Sequence, residues 1–144
     1  MKNILVAIDL DGNEQKLLDK AYEFGKAFNA KVWLIHIAAP NPDFVGFEAG
    51  PQYIRDERAT ELREEHQQLQ VYADALYNKG IEADGLLVQG ATLDMILEES
   101  KKLNIDLIII GHTEHNFIYK AIYGSVSLET VKQADIPVLT VPID

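Results

Sequence analysis

Short apolar runs alternate along the chain with longer segments in which apolar positions recur every three or four residues. Runs that are apolar at consecutive positions are typical of strands buried on both faces, as in a parallel sheet. They predict five strands, at residues 3–8, 32–38, 85–88 with their flanks, 107–110 and 137–141. The remaining segments have the spacing of amphipathic helices, in which every third or fourth side chain faces the core.

Four helices are predicted between and after these strands. Two short ones cover residues 93–103 and 126–133, and two longer ones are marked by apolar stripes: Leu17, Leu18, Ala21, Phe24 and Phe28 in the first, and Ala59, Leu62, His66, Leu69, Ala73 and Leu76 in the second. Strands and helices that alternate in this way predict an α/β fold, an open parallel sheet with helices on both faces. The length of 144 residues suits a single domain, residues 1–144.

Composition and charge narrow the possible functions. The formal net charge is −10, so the field of the protein repels polyanions, and nucleic acid and anionic membranes are not expected as partners. A small phosphate ligand is still compatible with this charge, because backbone N–H groups at the start of a helix can hold it. The absence of cysteine excludes disulfides and thiolate sites. The first apolar run stops at Asp9, too short for a signal peptide or a membrane span, and we expect a cytoplasmic protein.

Ligands of open α/β sheets bind outside the carboxyl ends of the strands, where the strand order reverses. The first predicted strand ends at Asp9 and the fourth at Gly111, so the loops after these two residues are the candidates to line a site. A long connection covers residues 39–56 and contains three prolines and two glycines. Connections of this length are typical of a lid, a partner surface or a mobile loop.

The first loop allows two interpretations. Its Asp9-x-Asp11-Gly12 pattern resembles the opening motif of haloacid dehalogenase-type phosphatases, in which the two aspartates act with magnesium as nucleophile and general acid/base. The further acidic pair of that family is not found after the fourth strand, where Glu114 is the one carboxylate. Asp11 and Glu14 also have the spacing of a capping box, which predicts a structural role at the start of the first helix.

The histidines give little indication of catalysis. His36 and His66 lie in apolar patterns and are predicted to be core histidines with satisfied hydrogen bonds. His112 and His115 flank Glu114 but lack the spacing of a helical zinc motif, which favours solvated loop residues over a metal site. No nucleophile with a partner base is recognisable.

The second half of the chain carries the most specific pattern. Gly111, two residues, Glu114, nine residues, Gly124 and Ser125 resemble the nucleotide-binding signature of the universal stress protein family, in which glycine occupies the position of Glu114. ILVAID, Val88-Gln89-Gly90, DLIIIGH, GSVS and IPVLTVP are similar to that family in order and spacing. The resemblance therefore extends over the whole chain.

The resemblance implies a strand order of 3-2-1-4-5 and a site for ATP or AMP, with or without magnesium, in a protein whose catalysis is at most slow ATP hydrolysis. It implies a homodimer paired through the last strand, from Pro137 to Val141. Some members of the family bind no nucleotide, so an interaction module is the alternative. We expect the Glu114 carboxylate to weaken the binding of ATP more than that of AMP, because ATP carries more phosphate charges. The residues implied at the site are Ala7, Ile8, Asp9, Ile37 and Gly90 around the nucleoside, and Gly111, Thr113, Gly124, Ser125, Val126 and Ser127 around the phosphates.

Overall fold

The computed structural model describes residues 1–38, 52–112 and 125–143. Within these residues the chain forms one five-stranded parallel sheet in the order β3-β2-β1-β4-β5, as predicted. The strands are β1 (Asn3–Ala7), β2 (Lys31–Ala38), β3 (Ala83–Gln89), β4 (Leu107–His112) and β5 (Val138–Pro142). The strand order reverses between β1 and β4, so the carboxyl ends of these two strands define the crevice where a ligand is expected.

The consecutive apolar residues of β1 serve two cores on opposite faces of the sheet. Ile4 and Val6 belong to one core, and Leu5 belongs to the other. Because successive side chains of a strand point to opposite faces, a strand covered by helices on both sides must be apolar throughout. This explains why the sequence of β1 shows a continuous apolar run instead of an alternating one.

The described residues form four helices, α1 (Gln15–Phe28), α2 (Gln52–Asn78), α3 (Thr92–Lys102) and α4 (Ser125–Gln133). Helices α1 and α2 cover the core that contains Ile4 and Val6, and α3 and α4 cover the core that contains Leu5. The start of α2 differs from the prediction, because residues 52–56 belong to the helix and not to the preceding connection. The rest of that connection, residues 39–51, lies outside the described residues.

The buried stripe of α2 also differs from the predicted one. His66 is exposed, so its prediction as a core histidine is wrong. The neighbouring Glu65 is half-buried, and Leu69, Ala73 and Leu76 are buried as expected. The spacing of apolar residues favoured His66 because its neighbour Glu65 is polar. Glu65 is nevertheless the more buried of the two, and its Oε2 lies 3.6 Å from Nε2 of His36.

The predicted capping box at the start of α1 is not formed. The helix begins at Gln15, with Glu14 as its N-cap residue and no side-chain capping hydrogen bond. The Asp11 carboxylate instead accepts a hydrogen bond from the Asn13 N–H at 3.0 Å, and the Glu14 carboxylate accepts one from the Gly12 N–H at 2.8 Å. The two carboxylates therefore stabilise the turn before the helix, and the contact of Asp11 with the N–H two residues on is that of an Asx-turn.

Candidate functional site

A cavity lies at the carboxyl ends of β1 and β4, at the reversal of strand order. It has a volume of about 120 Å³, enough for several water molecules, so it is more than a packing defect. Most of its wall is apolar, and the polar residues are concentrated in the turn between β1 and α1. The lining residues are Ala7, Ile8, Asp9, Asp11, Asn13, Glu14, Leu17, Ile35, Ile37, Thr92, Ile96, Ile110, Gly111, Val126 and Ile143.

Six of the residues predicted for the site line this cavity, namely Ala7, Ile8, Asp9, Ile37, Gly111 and Val126. They come from β1 and the turn after it, from β2, from β4 and from α4. Residues far apart in the sequence are thus brought together because parallel strands present their carboxyl ends at one edge of the sheet. Their contacts with a ligand remain predictions.

The other predicted site residues are placed differently. Ser127 is buried in α4 and Gly90 follows β3, and neither lines the cavity. Ser125 is the first residue of α4. Thr113 and Gly124 lie outside the described residues, as does Glu114.

Gly90 has a packing reason to be glycine. Its φ of +151° is disfavoured for residues with a side chain, and an added Cβ would lie 2.8 Å from the Cγ of Met95. The space where the side chain of a larger residue would begin is therefore occupied by Met95 of α3. The predicted contact of Gly90 with a ribose-phosphate group stays a prediction.

Several lining residues were missed in the sequence. Thr92 and Ile96 of α3 and Ile143 after β5 carry no motif, because an isolated threonine or isoleucine in an apolar pattern looks like any core residue. Asn13 and Glu14 could have been found, since they follow directly on Asp9 in a loop at the carboxyl end of a strand. They were assigned to a helix cap instead.

Asp9 is the carboxylate best placed to contact a ligand. It is half-buried, and no hydrogen bond to its side chain is formed within the part of the chain that the structure describes. Burial raises the pKa of Asp9 above its usual value, His36 opposes this effect, and the negative charges of Asp11 and Glu14 add to it. A ligand that donates hydrogen bonds to this half-buried carboxylate would stabilise its charged form.

Glu14 lines the cavity and also contacts helix α2. Its side chain is buried, with a residue exposure of 6%. One carboxylate oxygen accepts from the Gly12 N–H, and the other accepts a hydrogen bond from the hydroxyl of Tyr72 on α2 at 2.5 Å. Burial and this hydrogen bond raise the pKa of Tyr72 to about 12. Both oxygens of a buried carboxylate are thus satisfied, which offsets the cost of removing it from water.

His36 fixes the backbone next to Asp9. Its Nδ1 lies 2.9 Å from the carbonyl oxygen of Ile8, so Nδ1 carries the hydrogen and donates it. The Ile8 N–H donates in turn to the Ile35 carbonyl at 2.8 Å. The other ring nitrogen, Nε2, lies 3.6 Å from Oε2 of Glu65 on α2. Both backbone groups of Ile8 are therefore held by β2, which determines where the following residue, Asp9, can lie.

Gly111 also lines the cavity, and the side chain of Ile143, which follows β5, packs against it. A Cβ at Gly111 would lie 3.1 Å from both the Cγ2 and the Cδ1 of Ile143. The Ile143 N–H donates to the carbonyl of His112 at 3.0 Å, which continues the pairing of β4 and β5 beyond the strand. The glycine allows this close approach, and Ile143 forms part of the apolar cavity wall beside it.

The described residues also bear on two other classes of site, a metal site and a membrane span. Among residues 1–38, 52–112 and 125–143, no group of three or more histidine, aspartate or glutamate side chains could hold a metal ion. Asp9 and Asp11 therefore lack, within these ranges, the additional oxygen ligands that magnesium requires in a phosphatase. None of the helices in the described ranges is long and apolar enough to cross a membrane.

The strand order and the cavity at its reversal define an open, Rossmann-like α/β protein. Residues 1–142 match the model of the universal stress protein family, and the chain belongs to that family. It is 28% identical over 144 residues to universal stress protein A of Yersinia pestis, covering 99% of this chain and 92% of that protein.

Solved structures of the family have the same fold. The chain is similar, with a TM-score of 0.69 and 19% identity, to a universal stress protein in complex with cAMP, over 99% of this chain and 98% of the other. It is also similar, with a TM-score of 0.66 and 18% identity, to the universal stress protein from Archaeoglobus fulgidus in complex with dAMP, over 97% of each chain. These likenesses support the observed architecture.

Proposed function

We propose that the chain is a universal stress protein that binds an adenine nucleotide in the cavity at the ends of β1 and β4. The observation that carries this proposal is the half-buried Asp9 carboxylate, which faces an apolar cavity and accepts no hydrogen bond within residues 1–38, 52–112 and 125–143. Such a group can accept hydrogen bonds from ribose hydroxyls while the apolar wall contacts a purine. The complexes of two relatives with cAMP and dAMP support adenine as the base.

In this proposal the lining residues divide between the two parts of the ligand. Ala7, Ile8 and Asp9 lie beside the adenine and ribose, and Ile37 contacts the base. Gly111 and Val126 lie towards the phosphate, together with Thr113, Gly124, Ser125 and Ser127 of the family signature. The start of α4 supports the assignment, because the N–H groups of a first helical turn favour a negative group.

The proposed role is regulation by binding in the cytoplasm, with at most slow ATP hydrolysis. We further propose a homodimer. Strand β5 is at the edge of the sheet, and edge strands offer unpaired backbone groups to a second chain.

An interaction module without a nucleotide is the second candidate. It is favoured by one observation on α4, where Leu128 and Val131 lie one turn apart and are 53% and 49% exposed. Apolar side chains at neighbouring exposed positions are typical of a surface that contacts another protein. The nucleotide content of gently purified protein separates the two candidates, because only the binding protein retains an adenine compound.

Calorimetric titration tests the proposed function. AMP, cyclic AMP and ATP are each added to the wild type, with GMP as the control for the base. We expect heat from the adenine compounds and a weaker response to GMP. Asp9→Ala should weaken adenine binding and leave the circular dichroism spectrum unchanged, whereas Asp19→Ala, which changes an exposed carboxylate one turn into α1, should bind like the wild type. No heat with any adenine compound would refute the proposal.

A further inference from the structure

The side chain of His36 lies between the ligand site and helix α2. Its Nδ1 donates to the carbonyl of Ile8, the residue before Asp9, at 2.9 Å. Its Nε2 lies 3.6 Å from Oε2 of Glu65, and the side chains of His36 and Glu65 are 12% and 28% exposed. The ring therefore contacts the end of β1 through one nitrogen and approaches α2 through the other.

The contact between His36 and Glu65 needs a second proton on the ring. With one hydrogen, on Nδ1, the ring presents the lone pair of Nε2 to a carboxylate, and both groups are then acceptors. Oε2 of Glu65 is buried and accepts no hydrogen bond from the described residues. Two buried acceptors at this distance are unfavourable, whereas a hydrogen on Nε2 lets the atoms approach and form a charge-assisted hydrogen bond.

Helix α2 faces the turn after β1 with two polar residues. Glu65 and Tyr72 are seven residues apart, which is about two helical turns, so they lie on the same face of α2. Tyr72 binds Glu14, which follows Asp9 in the turn, and Glu65 approaches His36, which holds the residue before Asp9. The hydroxyl of Tyr72 keeps its hydrogen near neutral pH because its pKa is raised to about 12. Of these two contacts, the one made by Glu65 is therefore the one that can respond to pH near neutrality.

Carboxylates face the His36 ring from two sides. Glu65 approaches it from α2, and Asp9 lies near it in the turn after β1. His36 acts to lower the pKa of Asp9, against the effect of burial, so the two side chains are near enough to interact. Asp11 and Glu14 add negative charge around Asp9. A positive charge on the ring would thus be attracted from both sides.

We propose that His36 and Glu65 are positioning residues that make the ligand site sensitive to pH. When the ring holds two protons, it binds Glu65 and the Ile8 carbonyl together and fixes the position of Asp9. When Nε2 loses its proton, the link between α2 and the turn is broken. Histidine changes its charge between about pH 5 and 8, so the binding of an adenine compound should strengthen as the pH falls through this range. This inference rests on the proposed binding of an adenine compound in the same cavity.

Protonation of Asp9 would have the opposite effect on binding. Burial raises the pKa of Asp9, and a neutral carboxyl group accepts hydrogen bonds from a ligand less strongly than a carboxylate. A change at Glu65 separates the two effects, because it leaves Asp9 in place. In Glu65→Gln the introduced amide can donate to Nε2 of the neutral ring, so the contact no longer needs a second proton.

The test compares the affinities of adenosine and cyclic AMP at two pH values by calorimetry. Both ligands keep the same charge between about pH 6 and about pH 8, where histidine titrates. The Kd values of the wild type should be at least about threefold lower at the acidic pH. Glu65→Gln should bind at the alkaline pH as tightly as the wild type binds at the acidic pH, and it should not bind more tightly in acid. Glu64→Gln removes the same charge from an exposed neighbouring position and should behave like the wild type.

Nitrogen NMR of the His36 ring in the ligand-free protein tests the contact itself. At about pH 8 the hydrogen should be on Nδ1, and Nε2 should gain one as the pH is lowered towards about 6. A hydrogen on Nε2 instead of Nδ1 at the alkaline pH would overturn this inference while the proposed function stands. The same pH dependence of binding in the wild type and in Glu65→Gln would also overturn it. If neither ligand binds at either pH, both are refuted.

Discussion

The hydroxyl of Tyr72 donates a hydrogen bond to the carboxylate of Glu14 across 2.5 Å, and this contact joins α2 to the turn that follows β1. The second oxygen of Glu14 accepts from the Gly12 N–H within the same turn. The buried carboxylate of Glu14 is therefore bonded to the turn through one oxygen and to α2 through the other. Asp9, Asp11 and Asn13 of the same turn line the cavity, so this contact lies next to its polar residues.

Removing the Tyr72 hydroxyl should destabilise the protein. A hydrogen bond to a charged group contributes about 1.5–3 kcal/mol, and Tyr72→Phe leaves one oxygen of a buried carboxylate unsatisfied. We expect a loss of about that size in the free energy of unfolding, measured with urea. Tyr77→Phe is the matched control, since Tyr77 is 69% exposed on the same helix and should change stability by less than about 0.5 kcal/mol. A double-mutant cycle with Glu14→Gln should show coupling, and additive effects would contradict the contact.

The same contact predicts how Tyr72 ionises. Burial and the hydrogen bond to Glu14 raise its pKa from 10.0 to about 12. A raised pKa means that the folded state holds the proton more tightly, so this stabilisation is fully present below pH 10.0 and is lost as the pH rises through about 12. In an absorbance titration the wild type should show one tyrosine that ionises later than the others. Tyr72→Phe should lack that late step, and an identical titration would contradict the prediction.

Neutralising Asp9 should stabilise the folded protein and weaken the binding of an adenine compound. Burial and neighbouring negative charges raise its pKa, so the charged form costs free energy in the folded state. The cost is absent below the ordinary value of 3.8 and is fully present above the raised pKa. Asp9→Asn should therefore raise the stability by up to about 1 kcal/mol at neutral pH, with no gain in acid. Urea unfolding at both pH values measures this, and a loss of stability at neutral pH would argue against a strained carboxylate.

The hydrogen bond from His36 to Ile8 should matter for both stability and position. In His36→Leu the Ile8 carbonyl loses its side-chain donor, which should cost about 1–3 kcal/mol. His36→Asn keeps a donor near Nδ1 and should recover part of the loss in stability and in adenine binding. His66→Leu is the control, because this histidine is exposed on α2 and should be close to neutral. Equal effects of the Leu and Asn variants would show that the ring acts by packing alone.

The proposed dimer is tested on the free edge of β5. The Pro137 carbonyl accepts from the Ile108 N–H, and the Ile143 N–H donates to the His112 carbonyl, so odd-numbered residues bond to β4. The N–H of the even-numbered Thr140 then faces away from the sheet. Thr140→Pro removes this donor and should dissociate the dimer in sedimentation, whereas Thr140→Ala keeps the donor and should not. A monomeric wild type would contradict the proposal, and so would a Thr140→Pro dimer as tight as the wild type.

The sequence predicted the fold well, because buried parallel strands such as β1 and β4 carry continuous apolar runs and the family pattern supplies their order. It predicted less of the site. Strand ends identify Asp9 and Gly111, but the partners that hold them come from elsewhere in the chain. Tyr72 and Glu65 lie on α2 in a pattern that shows only helical period, and their contacts with Glu14 and His36 depend on how that helix packs on the sheet.

The assignment of Asp11 shows a second limit. Its spacing to Glu14 suits both a helix cap and a turn, and local sequence does not distinguish them. In the structure the Glu14 carboxylate accepts from the Gly12 N–H and the Tyr72 hydroxyl, and it makes no capping hydrogen bond to α1. The tertiary partner of Glu14, Tyr72, lies 58 residues away in the sequence and is not visible in the local pattern.

An amide NMR titration with cyclic AMP tests the central claim most directly, because it reports where the ligand binds. We predict concentration-dependent shifts of the amide signals of Asp9, Ile37 and Gly111, which line the cavity from three different elements. Lys101 and Asn104 line a separate groove between the ends of α3 and α4, and their amide signals should not shift. Shifts confined to that groove, or no shifts at saturating ligand, would contradict the binding of an adenine compound at the ends of β1 and β4.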